Sequence, residues 1–391
     1  MSTNLPLLDP DDPAVRTRHL LALPPNVLPD ELEVLAVSRF GRASWEPETP
    51  DEKPRTGILP AVTAALGIRK VAPSMARLRL GRRTTLIGPY QLTTVSAVAL
   101  GLPASSDTAW LAEGPRERGE PPFPGTGDRE GLARAFPDGL PIREEERVVL
   151  WLIAAARRLG GAVRVNDSSV VLTPDPDGAV NLALLTTRQP SAQEVLAQVR
   201  RAAPRARLAG DGYDHSWSFD PRTTGTAQPV LTERQGRHLR GARPLERTSQ
   251  AARDLFGRHN ADERRREALR AEAEAYEELM GEQPDLYGIE VDLGLDGTIE
   301  VVPEPLPEPP VVLRAAPWAA SGVTALRVRW YPHDADELYL ERPSTAHRVA
   351  RGRAVALVNS VTVALWDAFD GEVADESDFL IHVDDLRTGH R

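Results

Sequence analysis

Between Val148 and Ala156 the stretch Glu144–Leu159 (EEERVVLWLIAAARRL) is apolar on every side. That pattern predicts a buried helix rather than a surface one. Its ends agree. Glu144, Glu145 and Glu146 fall in the first turn and Arg157 and Arg158 in the last, the order that complements the helix dipole. Gly160 provides a left-handed stop. Two short β-prone runs follow, Ala162–Val165 and Val170–Thr173, joined by the turn-forming residues Asn166-Asp167-Ser168-Ser169.

The pattern returns near the C-terminus. Ala354–Phe369 is largely apolar, Asp370-Gly371 stops it, and Glu372–Ala374 and Phe379–Val383 flank the acidic turn 375–378. Each stretch has a strand candidate upstream, Leu92–Leu100 before the first and Thr324–Tyr331 before the second. The order reads as two copies of a β-α-β-β unit. Low residue identity between them leaves open two independent helix-hairpin motifs.

Other elements follow from local pattern. Glu31–Ser38 alternates as a strand does, and Gly57–Leu66 reads as a short helix with Pro60 in its first turn. Arg77–Ile87 and Leu92–Leu100 read as a strand pair around Gly88-Pro89-Tyr90. The proline-glycine stretch 113–127 reads as a mobile loop. Asp128–Phe136 is a short helix, Val180–Leu185 a strand, and Ser191 with Glu194 forms a capping box for a helix to Ala202. Arg205–Ala209 closes this part as a strand. Leu269, Ala273, Tyr276 and Met280 share one helical face with charge opposite. Ile289–Leu293 and Thr298–Val302 form a hairpin, and Val302–Pro310 (VPEPLPEPP) is extended, as a stiff spacer or an edge segment.

The fold class is therefore α+β, with two sheet-and-helix units joined by an arginine-rich helical segment. The order over Leu92–Ala209 is compatible with a ferredoxin-like sandwich. The expected divisions are a poorly ordered segment 1–30, an N-terminal α+β domain 31–220, a connector with the amphipathic helix 221–284, and a C-terminal α+β unit 285–391. The tail from Leu386 is expected to fray.

Composition narrows the function classes. The 391 residues contain no cysteine, which removes disulfides, thiolate metal sites and cysteine nucleophiles. Lys53 and Lys70 are the only lysines among 47 basic residues, a bias that fits a GC-rich, bacterial type of genome. Net charge of −10 favours solubility and disfavours nucleic-acid binding over the whole surface. The N-terminus has no secretory pattern and no apolar run reaches the ~20 residues of a spanning helix. A cytoplasmic protein with no membrane contact is expected.

Nucleotide-binding, nucleophile-elbow and zinc-protease motifs are absent from the sequence. The most site-like stretch is 210–220 (GDGYDHSWSFD). There Tyr213, Asp214 and His215 could assemble a hydrolase-type pocket around Tyr213–Trp217, with His215 as general base. The alternative is a turn and a strand with Trp217 and Phe219 in a core. Eleven arginines (234, 237, 240, 243, 247, 253, 258, 264, 265, 266, 270) face six acids over 232–270, a basic run that could follow phosphates. Phe256 is its one aromatic, so strand stacking is poorly served. A contact between this run and the seven acids of 285–310 is the favoured reading. Asp167, Asp175 and Asp177, and Asp375, Glu376, Asp378, Asp384 and Asp385, are clustered carboxylates without the spacing of a calcium loop. No metal or cofactor is expected. The sequence points to a non-catalytic module that binds another protein or assembles with itself.

Overall fold

Seven strands of the N-terminal half close into one antiparallel sheet, and seven of the C-terminal half into another. The computed structural model describes residues 5–46, 75–123, 127–166, 168–209 and 287–389. In chain order the first half contains α1 (Pro13–Arg16), β1 (His19–Leu23), α2 (Pro29–Arg39), β2 (Ser44–Trp45), β3 (Ala76–Arg79) and β4 (Thr85–Gln91). It continues with α3 (Thr94–Ala99), β5 (Thr108–Glu113), α4 (Leu132–Ala135), α5 (Arg143–Leu159), β6 (Ala162–Arg164) and β7 (Val171–Leu172). The second half contains β8 (Leu182–Thr186), α6 (Ala192–Ala202), β9 (Arg207–Leu208), β10 (Ile289–Asp292), β11 (Thr298–Leu306) and β12 (Val323–Tyr331). Then follow α7 (Thr345–Phe369), β13 (Glu372–Asp375), β14 (Leu380–Ile381) and α8 (Val383–Thr388).

The sheet orders are β2-β3-β4-β5-β1-β6-β7 and β14-β13-β8-β12-β11-β10-β9. Numbered from its own first strand, each sheet reads 7-6-1-5-4-3-2. The helices match as well. One follows the first strand (α2, α6), and a long one precedes the final hairpin (α5, α7), with the two packed together in each half. The halves are thus two repeats of one topology, and the repeated unit is larger than the β-α-β-β pattern visible in sequence. In both, the long connection joins the second and third strands, 46–75 and 209–288.

Equivalent registers sharpen the match. Leu21 faces Trp110 and Val163 across β1, and Leu184 faces Leu326 and Val373 across β8. Both strands lie between two neighbours and are buried throughout. Each hairpin opens on a glycine in the same place. A Cβ on Gly161 would run into the carbonyl oxygen of Ala22, and one on Gly371 into that of Leu185. Only glycine lets strand six approach strand one so closely.

Local chemistry accounts for the elements. In α5, the predicted acid-to-base order and the left-handed Gly160 stop are present, and Trp151 donates to Leu35 O at 2.9 Å. The Ser191 capping box opens α6. Each sheet packs its pair of matching helices on one face, and α1 and α3 cover the other face of the first sheet against Leu20, Ala22 and Leu111. Trp151, Leu152, Leu21 and Leu32 centre the first core, and Leu184, Val199, Val358 and Leu365 the second. Phe379, from the turn between β13 and β14, is 1% exposed and buried in the core of the first repeat.

Several expectations are corrected. Glu31–Ser38 is helix α2, not a strand. Pro29 opens it, Glu31 accepts from the Leu28 amide, and Leu32, Leu35 and Ala36 fall on one buried face while Val34 and Val37 stay exposed. Leu92–Leu100 is not a strand either. Thr93 and Ser96 cap each other reciprocally and start α3. Gly88-Pro89 lies inside β4, at a register shift against β5, so the strand pair is β3 with β4. Of the two readings of Val302–Pro310 the edge segment holds as far as Leu306, where β11 ends. Its prolines 303 and 305 fall beyond the last pairing with β10, where β11 is an edge that tolerates them. The stretch 92–209 divides between two sheets, so it does not form a single ferredoxin-like sandwich. The tail is held by α8, with Leu386 buried. The described part of 113–127 is pinned rather than loose, through Gly119 N to Leu140 O at 2.8 Å and Ile142 N to Glu117 O at 3.0 Å. The helices expected at 57–66 and 246–282 lie outside the described residues.

Candidate functional site

The linker between the repeats, 173–181, crosses one wall of a cleft of about 890 Å³, a volume that includes open solvent at its mouth. The first repeat contributes Arg129 and Glu130, just ahead of α4, and Arg157 from the last turn of α5. The second contributes the end of β12, His347 and Arg351 from the first turns of α7, and Glu376 from the β13–β14 turn. Leu172, Pro174, Leu338, Leu340 and Pro343 give apolar lining.

Three guanidinium–carboxylate pairs form the floor. Arg157 Nη2 donates to Glu130 at 2.6 Å, Arg129 Nη2 to Glu376 at 2.5 Å, and Arg351 Nη2 to Asp175 at 2.5 Å. The Arg129–Glu376 pair joins the repeats directly, and Arg129 also donates to Gly178 O of the linker at 2.8 Å. Burial works to raise the Glu130 carboxyl, but Arg157 and Arg129 hold it below the usual carboxylate range. Asp175 behaves likewise, with burial opposed by Arg351. Burial, reinforced by Arg351, pushes His347 below the ordinary histidine range, so its ring is neutral near pH 7. Two polar atoms in this lining are buried and without a hydrogen-bond partner, Arg157 Nε and His347 Nδ1.

The same place in the first repeat is sealed. There β6 leads into Asn166 as β13 leads into Glu376, by the register Val163–Leu21 against Val373–Leu184. Asn166 N–H donates to His19 Nδ1 at 3.2 Å, which leaves the Nε2 proton for Glu145 Oε1 at 3.0 Å. Arg118 pairs with the other Glu145 oxygen, bonds Asn166 Oδ1 at 2.7 Å and lies over the Phe136 ring. The Glu117 amide completes the set at 2.6 Å. Burial would raise Glu145, but the bonds from His19, the Glu117 amide and Arg118 hold it below the carboxylate range. The sequence places His19, Arg118 and Glu145 far apart, and no motif links them.

The β13–β14 turn is itself part of the joint. Ser377 and Phe379 amides both donate to Asp375 Oδ1, at 2.7 and 3.0 Å, and Arg39 donates to Ser377 O at 3.0 Å. Burial pushes Asp375 up to about 6 against those two amides. A group whose folded pKa lies above its unfolded value of about 3.9 favours folding at low pH, and that contribution is lost as pH rises through 6. Asparagine keeps Oδ1 for both amides. Asp375→Asn is therefore expected to be at least as stable as the wild type at pH 7.5. Relative to the variant, the wild type should lose up to about 3 kcal/mol between pH 4 and 7.5, measured by urea unfolding at each pH.

Tyr213, Asp214 and His215 lie outside the described residues, as do Ser216, Trp217 and the arginines 234–270. Within the acidic block Glu290 pairs with Arg207, Asp296 with Arg353, Glu304 with Arg327 and, at the surface, Glu308 with Arg314. Among the described residues, no three histidine or acidic side chains group to hold a metal ion, and no helix is long and apolar enough to cross a membrane. Of the acidic set, Asp175 and Glu376 are in the cleft, Asp375 is buried in its turn, and Asp177, Asp384 and Asp385 are exposed. No protein-family model, curated protein or solved structure matches the chain.

Proposed function

We propose that the chain is a non-catalytic binding module that engages another protein or a second copy of itself, with the cleft between its repeats as the binding site. One observation carries this reading. The carboxylates of the cleft floor are held by arginines, and Glu130 and Asp175 sit below the usual range. Such groups stay ionised near neutral pH, whereas a general acid or base needs a pKa near the working pH. Paired charges beside apolar lining are better suited to holding a partner than to moving protons.

Size-exclusion chromatography with light scattering, at low salt and at ~0.5 M salt, tests it, because surface charge is well screened at the higher salt. The expected result is a mass above one chain at low salt that falls at high salt. A mass of one chain at both salts, together with a hydrolytic activity that His215→Ala abolishes, would overturn the reading.

A further inference from the structure

Arg157 Nε is a donor and nothing else, and it is buried in the cleft without an acceptor. His347 Nδ1 is also buried without a partner, on a residue 8% exposed, and is a donor in the tautomer that carries the proton there. A buried donor left unmade costs free energy, so Arg157 Nε, with His347 Nδ1–H in that tautomer beside it in the cleft, points to a group that arrives with oxygen atoms. One oxyanion is already there. Asp175, on the linker, sets Oδ2 on Arg351 and uses Oδ1 to cap its own turn through the Asp177 amide at 3.1 Å. The pair is lopsided, since the Arg351 side chain is 8% exposed and that of Asp175 is 36% exposed. The cation is built into the fold and its partner sits at the surface. Asp175 leaves Arg157 Nε and His347 Nδ1 without an acceptor.

We propose that the cleft is an oxyanion site, taking a carboxylate or phosphate group onto Arg351, Arg157 Nε and His347 Nδ1, with the linker's Asp175 as a resident stand-in that the ligand displaces. This rests on the reading of the cleft as a binding site and adds the chemistry of the ligand. Net charge does not drive the selection. Glu130 and Glu376 stay paired with Arg157 and Arg129, and Glu341 is matched by Arg134 from outside the cleft. The selectivity comes from donors that lack acceptors and from the planar fork of a buried arginine, which suits both anions.

The test is thermal unfolding of the full chain at pH 7.5 with increasing sodium phosphate, or sodium succinate, against sodium chloride of equal ionic strength. Specific binding raises Tm as the logarithm of 1 + [L]/Kd, a curve that bends over above Kd, while exclusion of such anions from the surface raises it linearly. A logarithmic rise with phosphate or with succinate is expected, and the anion with the lower fitted Kd identifies the source. Asp175→Asn removes the stand-in and is expected to lower the fitted Kd about tenfold, roughly one charge-assisted hydrogen bond. Arg351→Gln is expected to remove the logarithmic component. A linear rise shared by wild type, D175N and R351Q would overturn the proposal, and so would an unchanged Kd in D175N. Either failure leaves the chromatographic result standing, so it is distinguishable from a failure of the binding reading.

Discussion

Phe379→Ala is expected to destabilise the protein by about 3–5 kcal/mol, the range for emptying a buried phenylalanine site. The distinctive part of the result is its form. Phe379 belongs to the second repeat by sequence, and its ring is buried in the core of the first. Its turn is also tied to the first repeat by Arg39 on Ser377 O and Arg129 on Glu376. Removing the ring leaves those polar ties and opens a hole between the repeats. Denaturant unfolding of the variant should separate into two transitions, one for each repeat, where the wild type shows one. A single transition moved to lower denaturant would mean that the ring merely fills a core and does not couple the repeats.

Glu145→Ala should cost a similar amount, about 3–5 kcal/mol, for a different reason. The carboxylate is 2% exposed and accepts from His19, Arg118, Asn166 and the Glu117 amide. Taking it away leaves a half-buried guanidinium and several donors without an acceptor, and breaking a buried pair from one side is costly. Glu145→Gln should rescue little, because its amide nitrogen would turn a donor toward donors. The pH dependence has a definite sign. The folded Glu145 carboxyl lies below its ordinary value, so its contribution is present above the unfolded pKa of about 4.3 and is lost as pH falls through the folded value. The gap between wild type and E145A, followed by urea unfolding, should therefore shrink on acidification.

What could be read from sequence depended on how local the determinants were. Helix α5 was legible because its caps, its dipole order and its apolar run all lie within it. The α6 capping box and the two hairpins were legible for the same reason. Helix α2 was misread because Leu32, Leu35 and Ala36 satisfy both a helical period and, with Val34 and Val37, an alternating one. The start at Pro29, the Glu31 cap and packing against α5 decide for the helix. The echo of helix, glycine and hairpin was visible, but the full repeat was not. Strand order is set by long-range pairing, as of β8 with β12 and β13.

The candidate site was less legible still. Arg129, Arg157, Asp175, Arg351 and Glu376 come from five separate segments, and only the fold brings them together. Asp175 and Glu376 stood out as acids in turns, which fits a solvated surface as well as a paired floor. Arg118 lay in a stretch whose glycines and prolines suggest looseness, and its anchor is a buried carboxylate 27 residues away in sequence. The Tyr213–Trp217 stretch drew notice through its residue types alone.

The central claim is that one topology occurs twice, with β8 playing in the second repeat the part that β1 plays in the first. Hydrogen–deuterium exchange read by mass spectrometry tests it directly, because β8 lies in sequence just after an exposed linker. If the claim holds, peptides covering His19–Leu23 and Leu182–Thr186 will be among the slowest to exchange, to a similar degree, since each strand is paired on both sides and buried along its length. Exchange of Leu182–Thr186 as fast as that of 173–181, with His19–Leu23 still protected, would contradict it.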